Sequence, residues 1–471
     1  MKKSSIIGKI VITGKLILKS PLLIGSGTDN SNDTNDKDIH VLKNQEGEPF
    51  VPGTSLCGVL REYMMSSNAQ MVKYIFGDPD TKPTNNQELL QSSIQLEDIP
   101  LMDHKIVFRD GVKIDGFTGT GIKGGKYNYE AIDRGAFGTL QLLVTLRGCH
   151  TDSQILDSKE YTIENVTSAI ADLMKKLEDG IRLGALTTKG FGQVQVENIS
   201  AGFYDFRKRA DVISWLSQKK PSPDKASTKI LPSDKKNSNS PEDIIIDAHF
   251  AFNSSFIIKD YDTNEREDGI RIAAVSLYSE KNKEYIIPGT SLKGILRHRA
   301  EYILRKFGCS EDLLENLMGS SDSEKKLKSR FIVSESYIST ENVKPLSHAR
   351  NRIDRLTGGT LQSMLFKTRP VWQKNFEAPT LNIHFEIHKA SEAEAGLAIF
   401  LLRDLCLGHV AIGGEKSIGR GTLRGISARI SYADKDYELD KSGKVTSGEA
   451  KELSRLAGLV KTYASEAGDV K

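Results

Sequence analysis

The chain has 471 residues, of which 38% are hydrophobic and 27% charged. This length suits two or three globular domains of roughly 100–200 residues each, and no apolar run reaches the roughly 18 residues that a membrane-spanning helix needs. The formal net charge is only +3. Overall charge therefore does not indicate a nucleic-acid-binding protein, and local basic patches would have to supply that function.

The four cysteines are far apart in the chain, and none forms a Cys-x-x-Cys pair. This spacing is typical of the reducing cytoplasm, where we expect the protein, and it disfavours a structural zinc site. The N-terminal segment alternates like a strand, is interrupted by Lys9 and Lys15, and lacks a small-residue cleavage site. We therefore do not expect a signal peptide.

Two patterns occur twice in the chain. Residues 52–61 are PGTSLCGVLR and residues 288–297 are PGTSLKGILR, with eight of ten positions identical. Three glycines with the spacing Gly-x5-Gly-x-Gly occur within 184–192 and again within 413–421. Because both patterns repeat at nearly constant separation, the sequence predicts two copies of a unit of roughly two hundred residues.

Composition indicates where these units end. A stretch rich in Pro, Ser, Lys and Asp follows the first copy and has almost no apolar residues, which predicts a flexible linker. A polar segment compatible with one helix follows the second copy. The predicted organisation is a first module, a flexible linker, a second module and a polar C-terminal tail, at 1–212, 213–243, 244–435 and 436–471.

Within each copy the predicted elements follow the same order. An alternating strand comes first, at 9–18 and at 243–252. A polar loop and a second strand lead to the repeated string, which opens a helix with Thr54 or Thr290 as the expected cap. Further strands, an amphipathic helix, the glycine segment and a last strand close the unit. This order predicts an α+β fold of two tandem ferredoxin-like (RRM-like) modules.

The repeated string places polar residues at the start of its helix. The first backbone N–H groups of a helix lack partners and attract anions, and Ser55 or Ser291 lies beside them. Arg61 or Arg297 follows, joined in the second copy by Lys293. For an isolated helix we would favour an ordinary solvated helix start. The polar residues of the string are repeated as well as the apolar ones, which weakens the interpretation as an ordinary solvated helix start.

The glycine segments carry lysines, Lys189 in the first copy and Lys416 in the second. Glycines allow a backbone to approach a ligand such as phosphate closely, as Gly413 and Gly414 would, or they simply form tight turns. The sequence alone leaves both interpretations open.

A third pattern, Ile-Asp-x-x-Thr-Gly, lies in the middle of each copy at 114–119 and 353–358. It falls within segments rich in Lys and Arg, 109–130 and 348–370, which predict basic β-hairpins. The cations on these hairpins are either solvated or contact an RNA backbone. They include Lys113, Arg352 and Arg355.

An acidic loop follows the first strand of the first copy, at 25–41. Several carboxylates close together are ligands that suit a hard cation such as Mg²⁺. The calcium-loop pattern is absent, and in isolation a solvated polar loop is the more common outcome for such a stretch. The loop contains Asp29, Asp33, Asp36 and Asp38, together with His40.

Together these motifs resemble the RAMP superfamily, and above all the backbone subunits of type III CRISPR-Cas effector complexes. The second copy carries IIPGTSLKGILR, NRIDRLTGG and IGGEKSIGRG, which the first copy varies to FVPGTSLCGVLR, KIDGFTG and LGALTTKGFG. The resemblance covers both copies and leaves out the linker and the tail. Two such modules in one chain resemble the fused double backbone subunit of type III-D-like systems.

The resemblance implies a subunit that binds CRISPR RNA and target single-stranded RNA together with other type III CRISPR-Cas subunits. Each module would contact a short segment of the guide backbone, and a β-hairpin thumb would kink the guide–target duplex. Cys57 in place of Lys293 would weaken the contact in the first copy. The residues expected to contact RNA are Ser55, Arg61, Lys113, Lys189, Ser291, Lys293, Arg297, Arg352, Arg355, Gly413, Gly414 and Lys416.

The resemblance also implies cleavage of the target RNA. Such family members use an aspartate in the loop after the first strand, with a divalent metal, and the ribose 2′-OH attacks to leave a 2′,3′-cyclic phosphate. Asp38 lies three residues before Val41, as that pattern requires. It is the expected catalytic residue and ligand of Mg²⁺ or another divalent cation. Asp36 and Asp33 are the next candidates for the catalytic residue.

The second copy has Ile272, Ala273 and Ala274 at the corresponding place. We therefore expect that module to bind RNA without cutting it, with Asp268 as the less favoured catalytic alternative. Two other interpretations stay open for the whole chain. One is a purely structural RNA-binding subunit, and the other is a guide-processing enzyme that uses His40 as a base.

Overall fold

The computed structural model describes residues 5–27, 39–77, 91–116, 118–147, 162–234, 240, 242–260, 265–309, 311–320, 327–362 and 364–468. Backbone contacts divide the chain into two compact units. Unit 1 contains 1–113, 121–187 and 191–237, and unit 2 contains 114–120, 188–190 and 238–471. Among the helices of the described ranges, none combines the length and apolar character needed to cross a bilayer.

Unit 1 is a mixed α+β structure. Its strands are β1 Ile6–Leu18, β2 Phe50–Val51, β3 Ile94–Leu96, β4 Ile99–Pro100, β5 Ile106–Ile114, β6 Gly121–Ile132, β7 Phe137–Arg147, β8 Ile181–Arg182, β9 Gln193–Asp205 and β10 Thr228–Ile230. Its helices are α1 Gly53–Ser67, α2 Ala69–Phe76, α3 Ile163–Asp179 and α4 Arg209–Leu216, with short 3-10 helices at Thr187–Lys189 and Pro223–Lys225.

The main sheet of unit 1 is antiparallel, in the order β10-β9-β1-β7-β3, with β8 also paired to β9. β1 lies between its two longest partners, where Ile10 pairs with Val144 of β7 and with Phe203 of β9. Successive side chains of a strand point to opposite faces. Ile10, Ile12 and Leu16 therefore share one face, and all three are buried in the core. The strand predicted over 9–18 is confirmed.

Helices α1 and α3 supply the other half of this core. Leu56, Leu60 and Met64 recur every four residues along α1, and each is buried. Ile170 and Leu173 of α3 enter the same cluster. Burying a large aliphatic side chain stabilises the fold by about 1.5–3 kcal/mol. The apolar periodicity of the sequence therefore determines which helix faces meet the sheet.

The segment after β9 is folded, although its composition predicts a linker from residue 213. Trp215 of α4 packs edge-on against Tyr204 of β9, with 5.2 Å between ring centroids. Ile230 of β10 is buried and pairs with Ala201 at the sheet edge. The linker expectation is wrong for 213–230, because a few aromatic and aliphatic side chains anchor an otherwise polar segment.

A buried carboxylate fastens this segment to the sheet. Asp211 of α4 is 2% exposed. Its Oδ2 accepts hydrogen bonds from the backbone N–H of Asp205 at 2.9 Å and from the hydroxyl of Ser227 at 2.5 Å. Its Oδ1 accepts a further bond from the backbone N–H of Ser227 at 3.2 Å. One side chain therefore joins the end of β9, α4 and the chain leading into β10.

Replacing Asp211 with alanine should leave the buried N–H of Asp205 without its acceptor and remove the acceptor of the Ser227 N–H and hydroxyl. Unsatisfied buried donors cost about 1–3 kcal/mol, so the free energy of unfolding should fall by about that amount, measured by urea denaturation. Trypsin should also cut the 213–230 segment faster. Asp224→Ala, an exposed site beside Lys229, is the control and should change stability by less than about 0.5 kcal/mol. Equal behaviour of the two variants would contradict this role.

Unit 2 repeats the α+β organisation with longer strand-rich loops. Its strands are β11 Ile244–Phe252, β12 Ser255–Phe256, β13 Lys259–Asp260, β14 Arg266–Glu267, β15 Ile270–Ser276, β16 Tyr278–Ser279, β17 Glu284–Ile287, β18 Phe331–Val333, β19 Ser336–Ser339, β20 Val343–Pro345, β21 His348–Arg350, β22 Phe366–Arg369, β23 Val371–Gln373, β24 Leu381–Ile387, β25 Leu423–Tyr432, β26 Lys435–Leu439 and β27 Val445–Ser447. Its helices are α5 Gly289–Phe307, α6 Glu311–Met318, α7 Glu392–Cys406 and α8 Ala450–Gly468, with a 3-10 helix at Lys416–Ile418.

The main sheet of unit 2 has the order β18-β24-β11-β25-β26-β27. Its first strand, β11, again lies between two antiparallel partners, β24 and β25. The part of the chain expected to be a polar tail contributes β26 and β27 to this sheet, and the single helix expected there is α8. Leu453, Leu456 and Val460 of α8 are buried. This end of the chain is therefore part of the folded unit.

Candidate nucleic-acid interface

The repeated string adopts the same local structure in both units. The N-cap of its helix is the proline, with φ −63° and ψ 133° at Pro52 and φ −61° and ψ 136° at Pro288. The helix begins at the glycine that follows, and no side chain caps it. The expectation that Thr54 or Thr290 caps the helix is wrong, because each threonine lies inside the first turn.

In unit 1 the start of α1 already has an anionic partner. The backbone N–H of Gly53 donates to Oδ1 of Asp98 at 2.8 Å. A side chain at this position would lie 2.4 Å from the carbonyl oxygen of Leu96, which explains the glycine. The predicted contact residues Ser55 and Arg61 are half-buried on this helix. At Gly53, the free N–H group of the helix start is therefore already bound by a carboxylate of the protein itself.

In unit 2 the two cations of the string have partners within the protein. Lys293 is 6% exposed, and its Nζ donates to Oγ of Ser329 and to the carbonyl of Phe331, both at 2.8 Å. Arg297 donates to the carbonyl of Gly319 at 2.9 Å, just beyond the end of α6. Both side chains fasten α5 to neighbouring segments. The structure gives both side chains internal acceptors, and their predicted contact with RNA stays a prediction.

The glycine segments hold the chain that follows the first strand of each unit. A Cβ on Gly413 would lie 2.4 Å from the carbonyl oxygen of Ile257, and a Cβ on Gly184 would lie 2.4 Å from that of Leu23. Both glycines have positive φ, +77° and +81°, which L side chains rarely adopt. The N–H of Gly414 donates to Ile257. These glycines therefore form tight turns against the protein's own backbone.

A cluster of charged side chains surrounds the glycine segment of unit 2. Glu415, in a left-handed conformation with φ +59°, contacts Arg350, Arg420 at 3.1 Å and Lys259 at 3.4 Å. Burial alone would raise the pKa of Glu415, but the hydrogen bond from Arg350 and the three positive charges hold it below its usual value. Three cations therefore surround this one carboxylate.

The corresponding place in unit 1 is apolar. Leu186 has the backbone conformation of Glu415, with φ +57°, and Phe191 stands where unit 2 has Arg420. Phe191 is fully buried and packs against Tyr129 at 5.8 Å between ring centroids. Sequence reasoning selected Lys416, which is exposed, but it missed Glu415. The repeated glycine spacing could have found this difference, because it aligns IGGEKSIGRG with LGALTTKGFG residue by residue.

The Ile-Asp-x-x-Thr-Gly pattern forms the same turn in both copies, with the aspartate inside it. Oδ1 of Asp354 accepts the backbone N–H of Leu356 at 2.7 Å, and Oδ1 of Asp115 accepts that of Thr118 at 2.7 Å. The N–H of each aspartate donates to the carbonyl five residues later at 2.8 Å. The repeated aspartate is therefore a turn-forming residue, as expected of Asp in tight turns.

In the second copy this turn displays an apolar side chain to solvent. Leu356 is 97% exposed, and Ile353 is 58% exposed. Arg352 and Arg355, which flank Ile353 and Asp354 in the chain, are exposed as well. Two exposed apolar side chains and two exposed arginines therefore lie within five residues. This tip has the side chains to contact phosphates and base faces.

The first copy presents a longer hairpin formed by β5 and β6. Lys113 and Lys123 are exposed on it, as are Phe108, 68% exposed, and Val112, 51% exposed. Phe117 occupies the sequence position of Leu356 but lies outside the described residues. The first hairpin therefore combines cationic and apolar side chains on its surface, as the second tip does.

The predicted catalytic residues Asp33, Asp36 and Asp38 lie outside the described residues. The next described residue is Ile39, which forms a parallel bridge with Tyr129 of β6. The carbonyl of Ile39 accepts the N–H of Glu130 at 2.9 Å. The acidic loop therefore ends against the base of the β5–β6 hairpin.

A buried glutamate, missed by sequence reasoning, lies at this junction. Glu130 is 7% exposed; it accepts the backbone N–H of Val41 at 3.1 Å and lies 3.4 Å from Nδ1 of His40 and 3.5 Å from Lys43. Burial alone would raise the pKa of Glu130, but the hydrogen bonds from Val41 and His40 and the charge of Lys43 hold it below its usual value. No sequence motif marks Glu130. Within the described ranges, no group of three or more His, Cys, Asp and Glu side chains is arranged to hold a metal ion.

Two stretches of the sequence, 15–195 and 271–424, match the family model of the RAMP superfamily. The chain belongs to the RAMP superfamily. Each stretch contains one copy of the repeated string and one glycine segment, so the RAMP domain occurs twice, as the internal repeat predicts. Membership identifies a CRISPR-associated protein of an RNA-binding family. No curated protein matches the sequence.

The second RAMP domain has a strand where the first has the acidic loop. Ile272 and Ala274 belong to β15, which runs parallel to β22. Asp268 lies in the turn before this strand, with φ +51°, and its Oδ2 accepts a hydrogen bond from Lys367 at 2.7 Å. The hydrogen bond and charge of Lys367 hold the pKa of Asp268 below its usual value. The carboxylate is thus already paired with a cation.

The burial of Lys293 should make the stability of the RAMP protein depend on pH. Burial lowers the pKa of Lys293 to about 7, so above that pH the unfolded chain binds more protons at this residue than the folded chain. Stability relative to Lys293→Met should therefore rise with pH between about 7 and 9. The expected slope is about 1 kcal/mol per pH unit, below the limit of about 1.4.

Urea denaturation of both proteins at several pH values measures this slope. Lys344→Met, at an exposed site on a strand, controls for the loss of one positive charge. A stability difference between wild type and Lys293→Met that stays constant over this pH range would contradict the buried environment of Lys293.

Proposed function

We propose that this RAMP protein is a CRISPR RNA-binding backbone subunit of a type III effector complex, with two modules fused in one chain. Its partners would be the guide, a complementary single-stranded target RNA and other type III subunits. The first module would also cleave the target. The observation that carries the RNA-binding proposal is the repeated turn that displays Leu356 a few residues from the exposed Arg352 and Arg355.

The chemistry of this tip suits a paired RNA strand. Arginines release counterions when they bind phosphates, which makes binding strong at low salt. An apolar side chain can enter between two bases and unstack them, bending the duplex. The tip has both kinds of side chain, and Asp354 fixes the turn that carries them. A thumb that kinks the guide–target duplex would use this arrangement.

The strand orders of the two sheets support ferredoxin-like modules. In unit 1 β9 and β7 flank β1, and in unit 2 β25 and β24 flank β11. One helix or helix pair follows each first strand, and another precedes each last strand. A β-α-β-β-α-β unit produces this arrangement. In chain order, the first hairpin lies between sheet strands β3 and β7, and the second tip lies between sheet strands β18 and β24. Thumbs inserted in the two modules would occupy these places.

Cleavage is proposed for the first module at Asp38. The chain position of Asp38 adjoins Ile39, at the base of the hairpin that would bend the target. In-line attack would move the 2′-OH proton to a base, form the bond from the 2′ oxygen to phosphorus, and release the 5′ oxygen. Carboxylates suit Mg²⁺ or another divalent cation, which is why the proposal includes one. His40, held beside the Glu130 carboxylate, is the nearest described candidate for moving a proton.

The phosphate contacts of the second tip can be tested on the full-length protein. Replacing Arg352 and Arg355 with alanine should weaken binding of a single-stranded RNA and make the salt dependence shallower by about 1.4, since each lost phosphate contact removes about 0.7 from the log–log slope. Filter binding over a range of salt concentrations measures this slope. Lys435→Ala with Lys441→Ala removes the same charge from exposed sites elsewhere and should leave the slope nearly unchanged.

Leu356→Ala separates the apolar contact from the charges. It should retain the salt slope but reduce the fluorescence increase of a 2-aminopurine placed beside the kink in a bound guide–target duplex. If the arginine pair and its control behave alike, and Leu356→Ala leaves the fluorescence unchanged, this tip is not an RNA-contacting thumb.

The proposed cleavage is tested in the assembled complex with guide, complementary target RNA and Mg²⁺. Asp38→Ala should reduce cleavage at the position of the first module by about 10²-fold or more, as expected for loss of a catalytic group. Asp268→Ala, at a carboxylate paired with Lys367, should cut the target as wild type does. Undiminished cleavage by Asp38→Ala would leave a purely structural RNA-binding subunit as the function.

A further inference from the structure

A cavity of about 300 Å³ lies in unit 1, on the face of the main sheet opposite α1 and α3. It lies at the lower end of the range of small-molecule sites. The cavity exists because the segment predicted as a linker folds over this face. None of its lining residues belongs to the repeated string, the glycine segments, the basic hairpins or the acidic loop.

The floor of the cavity is formed by three neighbouring strands. Val11 of β1 pairs with Leu143 of β7, which pairs in turn with Gln95 of β3, so the three side chains form one row. Gln141 lies on the same face two residues before Leu143, and Glu97 lies two residues beyond Gln95. The floor therefore combines an apolar centre with two amides and one carboxylate at its polar side.

The wall of the cavity is formed by α4 and the residues after it, including Trp215, Lys219 and Pro221. The position of the Trp215 ring is fixed by Tyr204 and by Lys9, whose Nζ lies 5.0 Å from the ring centroid. Gln218 secures the wall, since its amide donates to the Tyr204 hydroxyl at 3.0 Å and accepts the N–H of Ser222 at 3.0 Å. The wall is thus held by contacts that no ligand has to supply.

These groups suit a flat aromatic ligand with a polar edge. Indole and leucine side chains pack on the faces of a base. A glutamine amide can form two hydrogen bonds with adenine, accepting from its amino group and donating to the adjacent ring nitrogen. Glu97 accepts a further hydrogen bond from an amino group, and Lys219 attracts a phosphate. Uracil offers carbonyl oxygens at the same edge, which a carboxylate repels.

We propose that this cavity binds the adenine base of a nucleotide, with Gln141 and Gln95 hydrogen-bonded to its edge and Lys219 paired with its phosphate. The site does not depend on the guide-binding proposal, because none of these residues belongs to the hairpins or the glycine segments. The nucleotide is either free or part of a single strand of RNA, and the shared chemistry is adenine.

The two tryptophans of the chain make the site directly observable. Trp372→Phe leaves Trp215 as the sole indole, so fluorescence quenching by added AMP reports on this cavity. We expect saturable quenching by AMP, and at least about tenfold weaker binding of UMP, since a lost hydrogen bond and an unpaired carboxylate together cost about that factor. Ribose 5-phosphate, which lacks the base, should not quench.

The polar edge is tested in the same background. Gln141→Leu should weaken AMP binding by about tenfold, and Glu97→Gln should reduce the preference for AMP over UMP. Thr139→Leu, on the same face of β7 but outside the cavity, is the matched control and should bind AMP within about twofold of its parent. Circular dichroism melting shows whether each variant is folded, and if Gln141→Leu is not, Glu97→Gln carries the test.

Three results would overturn the site: no saturable quenching by AMP, equal affinity for AMP and UMP, or equal binding by the cavity variants and the Thr139→Leu control. Single-stranded hexa-adenylate distinguishes the two sources of adenine. Binding at least about tenfold tighter than AMP identifies an adenine of an RNA strand, and similar affinity identifies a free nucleotide. None of these outcomes depends on Arg352, Arg355 or Asp38, so the site and the guide-binding proposal fail separately.

Discussion

The architecture of each unit depends on a backbone clasp between the glycine segment and the chain just after the first strand. In unit 1 the N–H of Ala185 donates to Leu23 at 2.8 Å, and the N–H of Gly192 donates to Pro21 at 2.7 Å. A Cβ on Gly192 would lie only 1.9 Å from the carbonyl of Leu183. The same bonds recur in unit 2. Only glycine tolerates this approach, which explains why the spacing repeats when most of the sequence between does not.

The clasp brings distant parts of the chain to one edge of unit 1. The chain leaving β1 forms a bridge from Leu22 to Ile132 at the end of β6. Ile39 forms a bridge to Tyr129, three residues earlier in the same strand. The base of the hairpin, the end of the acidic loop and the buried Glu130 therefore meet. A target strand bent by the hairpin would have its backbone beside this junction, which connects the proposed RNA contact with the proposed chemistry.

The two copies use one backbone frame with different side chains. Unit 2 places an ion cluster around Glu415 where unit 1 has the apolar pair Leu186 and Phe191. Unit 2 also buries Lys293 where unit 1 has the half-buried Cys57. Buried charges need partners to offset their desolvation, and Lys293 finds them in Ser329 and Phe331. These differences lie inside the units, so the copies have diverged in packing as well as in surface chemistry.

The sequence by itself determined the duplication, the α+β class, the central strand over 9–18 and the helix after the repeated string, because these rest on local periodicity and on backbone geometry that glycine and proline impose. Tertiary structure alone decided the environment of each polar side chain. Lys293 and Arg352 are both basic residues within repeated motifs, yet Lys293 is buried against hydroxyl and carbonyl oxygens and Arg352 is exposed. The segment at 213–230 looked like a linker, yet Trp215 and Asp211 fasten it to β9. Burial is a property of contacts between residues far apart in the chain, and no local pattern contains it.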